Sequence, residues 1–161
     1  VRILGVLALI FISAYGAEAR ESADKVLILK SKRAMLLLRD GEIIRAYRVA
    51  LGRNPVGHKV MEGDKRTPEG LYVVDGKNPK SNFHLSIKIS YPEERDLEMA
   101  SRLNVKPGGM IMIHGLPKGM ERLGKRHRLE DWTDGCIAVT NKEIEEIWAM
   151  VEEGTPVEIR P

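Results

Sequence analysis

One cysteine and one histidine carry the chemistry that this sequence is predicted to perform. Cys136 is the only cysteine among the 161 residues, and it directly follows the turn-like segment 133–135. A cysteine attacks as its thiolate, and a free thiol pKa of about 8.5 leaves little thiolate at neutral pH, so a base must lie nearby. Histidine suits that role because its ordinary pKa is about 6.5. His114 is therefore the predicted base and Cys136 the predicted nucleophile.

The residues beside this pair are predicted to support the reaction. Gly135 lets the backbone approach closely before Cys136, and backbone N–H groups of such a turn can stabilise an oxyanion. Gly115, Thr133 and Asp134 complete the supporting set. Asp134 has two interpretations, because its carboxylate can orient the catalytic imidazole or cap the turn. On cysteine count alone, an inert buried thiol is the competing interpretation.

Other polar and aromatic side chains are weaker candidates for a substrate cleft. Trp132 is a candidate to stack on a sugar or peptide face, or else a packing residue. Tyr91 and His84 are cleft candidates that also fit a strand end and its turn. His58 and His127 lie in glycine-rich or basic loops and are predicted to be solvated, with His127 as the alternative base.

The sequence predicts neither a metal nor a nucleotide cofactor. The histidines, Cys136 and Asp134 include metal-ligand types, but no pair has the short CxxC or HxxxH spacing of a zinc site. No glycine-rich phosphate loop follows a strand into a helix. We therefore expect the chemistry to rest on side chains alone.

Composition predicts a globular protein without a nucleic-acid footprint. Hydrophobic residues make up 43% and charged residues 30% of the chain, which is ordinary globular usage. The net charge of +3 arises from 26 basic and 23 acidic residues. These charges are scattered instead of forming the basic block that nucleic-acid binding favours.

The first residues predict export. Arg2 precedes an apolar run over residues 3–14, and Ala17-Glu18-Ala19 has the form of a signal-peptidase site. We expect a signal peptide over 1–19, one domain over 20–161, and a location in the periplasm or cell envelope. The run is shorter than the roughly 18 to 20 residues of a membrane-spanning helix, and an uncleaved anchor is the alternative. A lone thiol in an exported protein forms an intermolecular bridge or does chemistry.

The elements that must position these residues are mostly short strands. Apolar and β-branched runs predict strands at 26–29, 34–38, 42–51, 71–74, 85–90, 110–113, 137–139 and 156–159. A helix is predicted over 141–153, with Thr140 and Glu143 as its capping box. Residues 93–103 are a candidate short helix, and 116–133 are predicted to be an exposed loop. The fold class is a β-dominated α+β domain.

Two separated motifs resemble those of a known catalytic domain. His114-Gly115, a polar loop, Thr133-Asp134-Gly135-Cys136 and then Asn141 resemble the signature of the L,D-transpeptidase (YkuD) family. Upstream, Thr67-Pro68-Glu69-Gly70-Leu71-Tyr72 resembles its Thr-Pro-x-Gly-x-aromatic segment. Asp134 replaces the usual histidine and Ala138 the usual arginine, as in the YafK-like subgroup.

The resemblance implies a mixed β-sandwich with one main C-terminal helix, and Cys136 in a cleft with His114 as its base. The implied substrate is the tetrapeptide stem of peptidoglycan, attacked at the L-to-D bond next to meso-diaminopimelate. The acyl group would pass to an amine of another stem or of a cell-wall-attached protein, or to water in a hydrolase. Because of Asp134 and Ala138, a non-catalytic cell-wall binding module is a third interpretation.

Overall fold

A computed structural model describes residues 21–161 of the chain. The predicted signal peptide therefore lies outside the described residues. Within them the chain forms β1 (Lys25–Leu29), β2 (Ala34–Arg39), β3 (Glu42–Arg48), β4 (Gly70–Ser81), β5 (His84–Ile89), α1 (Glu94–Arg102), β6 (Met112–His114), a 3-10 segment (Glu121–Leu129), β7 (Ile137–Ala138), α2 (Asn141–Met150) and β8 (Pro156–Arg160).

The strands pair side by side in the order β3-β2-β1-β8-β4-β5-β6-β7. Two neighbouring pairs are parallel, β1 with β8 and β6 with β7, and the other pairs are antiparallel. This mixed sheet with few helices confirms the predicted β-dominated α+β class.

Alternating burial along the strands explains why these segments form a sheet. In β1, Val26 and Ile28 are fully buried while their neighbours are half-buried, and Met35 and Leu37 of β2 repeat the pattern. Such a period of two places one face of the sheet against the core. The core is completed by the buried face of α2, which contributes Ile144, Ile147 and Met150.

Both helices lie where the sequence predicts them. α1 has nine residues and lies within the candidate helix over 93–103, and α2 has ten and lies within the predicted helix over 141–153. α1 begins with a capping box between Glu93 and Asp96 but buries only Asp96 and Ala100, which leaves a weak apolar pattern in the sequence. The loop predicted over 116–133 contains the 3-10 segment, which is interrupted at Gly124 (φ 46°). No helix in residues 21–161 is long and apolar enough to cross a membrane.

The end of β3 also differs, and the difference matters for the site. The strand stops at Arg48, and the next residues pair with distant parts of the chain instead. Ala50 forms a bridge with Ala138, and Gly52 forms one with Thr133. The chain that leaves β3 is thereby fixed against the segment that contains the cysteine.

Candidate active site

Two parallel strands bring His114 and Cys136 into neighbouring positions. His114 is the last residue of β6, and Cys136 immediately precedes β7. The register places His114 opposite Ala138 and Ile113 opposite Ile137. Because side chains alternate along a strand, Cys136 and Ala138 share a face, and His114 projects from the same face of its own strand. The register thus places Cys136 two positions before the residue that lies opposite His114.

The His114 imidazole is held in one tautomer. Its Nδ1 lies 2.7 Å from Gly115 O, and a carbonyl oxygen can only accept, so Nδ1 carries the proton and Nε2 is an acceptor. His114 is 2% exposed, and its ring centroid lies 4.4 Å from that of Phe83 and 5.8 Å from that of Trp132. Burial lowers the pKa of His114 although the Gly115 hydrogen bond opposes this shift. The imidazole is therefore neutral at neutral pH.

The Cys136 thiol is half-buried and also neutral. Its Sγ donates to Met110 O at 3.5 Å. Burial raises the pKa of the thiol, and the charge of Asp134 raises it further, whereas the Met112 N–H and Lys59 lower it. Since burial is the largest influence, the thiol needs a base before it can attack.

Thr133 and Gly135 shape the turn before the cysteine. The Thr133 hydroxyl donates to Cys136 O at 2.8 Å and accepts from the Gly135 N–H at 3.1 Å. Gly135 has φ 133°, and a Cβ there would lie 2.6 Å from Arg66 O, so only glycine fits. The Gly135 N–H is thus engaged in bracing the turn.

Gly115 and Asn141 fix the turn that follows the histidine. A Cβ at Gly115 would lie 2.7 Å from Asn141 Oδ1 and 2.9 Å from Phe83 O. Asn141 Oδ1 also accepts from the Leu116 N–H at 2.7 Å. Gly115 therefore supports His114 in two ways, through its carbonyl oxygen and through close packing against the start of α2.

The Asp134 carboxylate pairs with basic side chains at the surface, which favours its interpretation as a turn residue over an orienting role for His114. Its side chain is 68% exposed and pairs with Arg53 at 2.8 Å and Lys65 at 2.9 Å. The hydrogen bond from Lys65 is the main reason that the pKa of Asp134 lies below its usual range. Gly115 O performs the orienting role instead.

Trp132 lies between the catalytic candidate His114 and His127. Its indole N–H donates to His127 Nδ1 at 3.4 Å, and its ring makes a T-shaped contact with His114. His127 is 5% exposed, so the prediction that it is solvated is wrong, because the 3-10 segment folds back over Trp132. Burial and the neighbouring Arg128 lower the pKa of His127 to about 4.

A cavity of about 330 Å³ opens beside Trp132. Its lining is mostly apolar and comes from the loop that connects β6 with β7, namely Leu116, Pro117, Met120, Leu123, Arg126, His127, Leu129, Glu130 and Trp132. Of the three residues predicted to line a cleft, Trp132 is the one that borders a cavity next to His114.

Tyr91 and His84 occupy other environments. Tyr91 is buried in the core, where its hydroxyl donates to Pro107 O at 3.0 Å. His84 begins β5 and pairs through Nε2 with Glu145 of α2 at 2.6 Å. These contacts serve core packing for Tyr91 and docking of α2 for His84, which also lines a separate cavity with Leu116 and Lys118.

His58 and Lys59 were not recognised from the sequence as buried polar residues. His58 Nε2 lies 3.2 Å from Asp96 Oδ1, and its Nδ1 accepts from the Glu69 N–H at 3.0 Å, so this ring is not solvated as predicted. Lys59 is buried and pairs with Asp64. Their partners become neighbours only through folding, and no local motif signals them. Among residues 21–161, no three His, Cys, Asp or Glu side chains group closely enough to hold a metal ion.

Comparison with known proteins assigns the family. The family model described as the L,D-transpeptidase catalytic domain, YkuD, matches residues 23–159. The chain belongs to this family. L,D-transpeptidases act on the stem peptides of peptidoglycan. Stem peptides are therefore the class of substrate against which this site is assessed.

Relatives and solved structures agree with the family assignment. YafK of Escherichia coli strain K12, whose L,D-transpeptidase name is itself provisional, is 28% identical over 143 residues, which cover 85% of this chain and 50% of YafK. The helical cell shape determining protein Pgp2 of Campylobacter jejuni is 27% identical with a TM-score of 0.63, over 84% of this chain and 46% of Pgp2. The chain spans about half the length of the curated relatives it matches.

A more distant structure shows the same fold. The Enterococcus faecium L,D-transpeptidase C442S mutant is 15% identical with a TM-score of 0.56, over 87% of this chain and 50% of that one. At that identity the likeness concerns the fold alone.

Proposed function

We propose that this L,D-transpeptidase-family domain is a peptidoglycan L,D-transpeptidase that forms an acyl-enzyme on Cys136. One observation carries the proposal. The His114 Nδ1 proton is bound to Gly115 O, which leaves Nε2 as a proton acceptor on the strand next to Cys136. A neutral base beside a neutral thiol is the resting state that general-base activation requires.

The first half of the reaction forms a thioester. The thiol of Cys136 gives its proton to His114 Nε2, and the sulfur attacks the carbonyl carbon of the L-to-D peptide bond next to meso-diaminopimelate. The tetrahedral intermediate collapses as His114 returns the proton to the amine of the departing D-residue. The bond broken is the peptide C–N bond, and the bond formed is the C–S bond of the thioester.

The second half releases the stem. An amine of another stem, or of a cell-wall-attached protein, gives a proton to His114 and attacks the thioester, and Cys136 leaves as a thiol. Water in place of the amine would make the enzyme an L,D-specific hydrolase. That second candidate is favoured by Asp134 and Ala138, because both differ from the family pattern and both lie within two residues of the nucleophile.

Location and biological role follow from the same proposal. Family members are cell-wall enzymes that are generally exported, which supports a signal peptide over residues 1–19 and a catalytic domain over 20–161 in the periplasm or cell envelope. Likeness to Pgp2, a helical cell shape determining protein, supports a contribution to cell shape.

Reaction with a carbapenem tests the nucleophile, because a thiolate opens the β-lactam ring and retains the whole drug as a thioester. Intact-protein mass spectrometry is expected to show one adduct on the folded protein and none on Cys136→Ala. The same adduct on both proteins, or none on either, would contradict the acyl-enzyme.

Muropeptide profiling identifies the acceptor. After incubation of purified sacculi with the protein, new cross-links or exchanged terminal D-amino acids indicate transfer, whereas lost cross-links or released protein indicate hydrolysis. Binding to sacculi without turnover, unchanged in Cys136→Ala and His114→Ala, would favour the non-catalytic wall-binding module and overturn both enzymatic candidates.

A further inference from the structure

The loop between β3 and β4 contains a buried ion pair that the proposed mechanism does not use. Lys59 Nζ lies 2.9 Å from Asp64 Oδ1 and 3.0 Å from Met61 O, and the two charged side chains are only 4% and 7% exposed. The Asp64 carboxylate also accepts from the backbone N–H groups of Val60, Met61 and Arg66. We call this arrangement the Lys59–Asp64 hub.

Burying such a pair requires a reason other than stability. Two charges removed from water lose hydration that their mutual attraction only partly restores, and apolar replacements of similar size are often as stable. A role for the hub is therefore sought in the backbone segments that pack against it.

The backbone fixed by the hub packs directly against the cysteine turn. Arg66 O would lie 2.6 Å from a Cβ at Gly135, and Lys65 O would lie 2.2 Å from a Cβ at Gly52. A Cβ at Gly52 would in turn lie 3.1 Å from Gly135 Cα. Three backbone segments thus meet without room for side chains. A displacement of the hub would therefore also displace the turn that precedes Cys136.

We propose, building on the proposed function, that Lys59 is a positioning residue for Cys136: its buried ammonium, fixed by Asp64, favours the attacking thiolate while the hub braces the turn. Lys59 counteracts the rise in the pKa of Cys136 that burial and Asp134 cause. Asp134 is itself offset by Arg53 and Lys65, and the third titratable neighbour, His114, is neutral. Lys59 is buried, so solvent screens its charge less than it would at the surface.

The rate of alkylation by iodoacetamide, measured against pH, tests this role. Cys136 is the only cysteine in the chain, so the reaction reports its thiolate alone, whether or not the protein is a transpeptidase. In Lys59→Met the midpoint of the pH profile is expected to rise, and alkylation at neutral pH to slow by about three- to tenfold. Lys59→Arg, which keeps the charge, is expected to restore most of the rate.

Asp64→Asn separates the charge of Lys59 from the bracing of the loop. This variant keeps the ammonium and removes its counter-charge, so the alkylation midpoint is expected to stay or fall although the melting temperature falls. A midpoint raised equally in Lys59→Met and Asp64→Asn, or unchanged in Lys59→Met, would overturn the proposal. Lys77→Met is the matched control, because Lys77 Nζ is also held by backbone carbonyls, those of Trp148 and Val151 at 2.8 and 2.9 Å.

A double variant covers the case in which Lys59→Met does not fold. Lys59→Met with Asp64→Asn leaves no unpaired buried charge and is expected to fold with a raised midpoint, whereas a wild-type midpoint would overturn the proposal. Carbapenem acylation is followed in parallel. If the midpoint rises but the wild-type protein never acylates, the role of Lys59 stands and the proposed function fails.

Discussion

At the scale of single residues, the site is a pair of neutral groups and not a preformed thiolate and imidazolium. Burial raises the pKa of Cys136 and lowers that of His114, and both shifts disfavour a thiolate–imidazolium ion pair. Proton transfer therefore accompanies attack, and the histidine is needed at every pH below the thiol pKa.

Replacement of His114 by Asn is expected to slow carbapenem acylation at neutral pH by about 10²- to 10⁴-fold. The residual rate should climb with pH as the thiol ionises without help. In the wild-type protein the rate should persist into mildly acidic solution and fall only as pH drops through the lowered pKa of His114. A time course of intact mass at several pH values measures both effects.

His84→Asn is the control for this series, because that imidazole pairs with Glu145 at the surface of α2. It is expected to acylate at the wild-type rate. Wild-type acylation by His114→Asn at neutral pH would exclude His114 as the base.

At the scale of elements, the start of α2 performs two separable tasks. Thr140 caps the helix, with its hydroxyl accepting from the Glu143 N–H at 3.3 Å. Asn141, the next residue, binds the Leu116 N–H across to the loop that follows β6. Neighbouring positions thus serve the helix and the histidine turn respectively.

Thr140→Ala and Asn141→Ala should therefore differ in activity more than in stability. Each is expected to lower the free energy of unfolding by about 1 kcal/mol, one through a lost cap and the other through a lost hydrogen bond. Only Asn141→Ala should also slow acylation, because it releases the turn whose carbonyl oxygen orients His114. Urea denaturation and acylation rates at low temperature test this difference.

Asn141→Asp provides the rescue, since it keeps an acceptor for the Leu116 N–H. Recovery of the acylation rate in Asn141→Asp is the expected outcome. Equal rates in Asn141→Ala and the wild-type protein would show that the turn holds without this contact.

Local patterns predicted the elements well where they determine the backbone directly. Asp40-Gly41 predicted a hairpin, and both residues adopt the left-handed conformation that a tight hairpin needs, with φ 52° and 80°. The Thr140 and Glu143 capping box is confirmed as the start of α2. These features depend on a few adjacent residues, so the sequence contains all of the required information.

Features made by distant residues could not be predicted in the same way. Asp134 pairs with Arg53 and Lys65, which are 81 and 69 positions away, and the burial of His127 depends on how its segment folds against Trp132. The sequence therefore leaves two interpretations of Asp134 open, and its partners in the structure favour the non-catalytic one. Side-chain type and spacing indicated the nucleophile and base, but only the sheet register shows how they become neighbours.

At the scale of the whole molecule, three buried or half-buried histidines make stability depend on pH. Burial lowers the pKa of His58, His114 and His127 below the ordinary value of 6.5, and that of His127 to about 4. The unfolded chain binds protons more tightly at these positions, so stability is complete above pH 6.5 and declines as pH falls toward the folded pKa values.

Urea unfolding at about pH 7 and about pH 5 should therefore show a marked loss of stability in acid. His127→Gln is expected to remove about 1 to 3 kcal/mol of that loss, because glutamine keeps an acceptor for the Trp132 N–H but does not titrate. The exposed His84→Gln variant should retain the full wild-type loss. The same acid sensitivity in His127→Gln and the wild-type protein would contradict the assignment.

The position of β8 affects the order in which the sheet can form. This strand lies between β1 and β4, and Val157 pairs with Val26 and with Tyr72. The chain therefore cannot close its sheet until β8 is available to pair. Until then the facing edges of β1 and β4 remain open, and such edges readily pair with other chains. Folding should accordingly be slow and late, because its central contacts join the two ends of the domain.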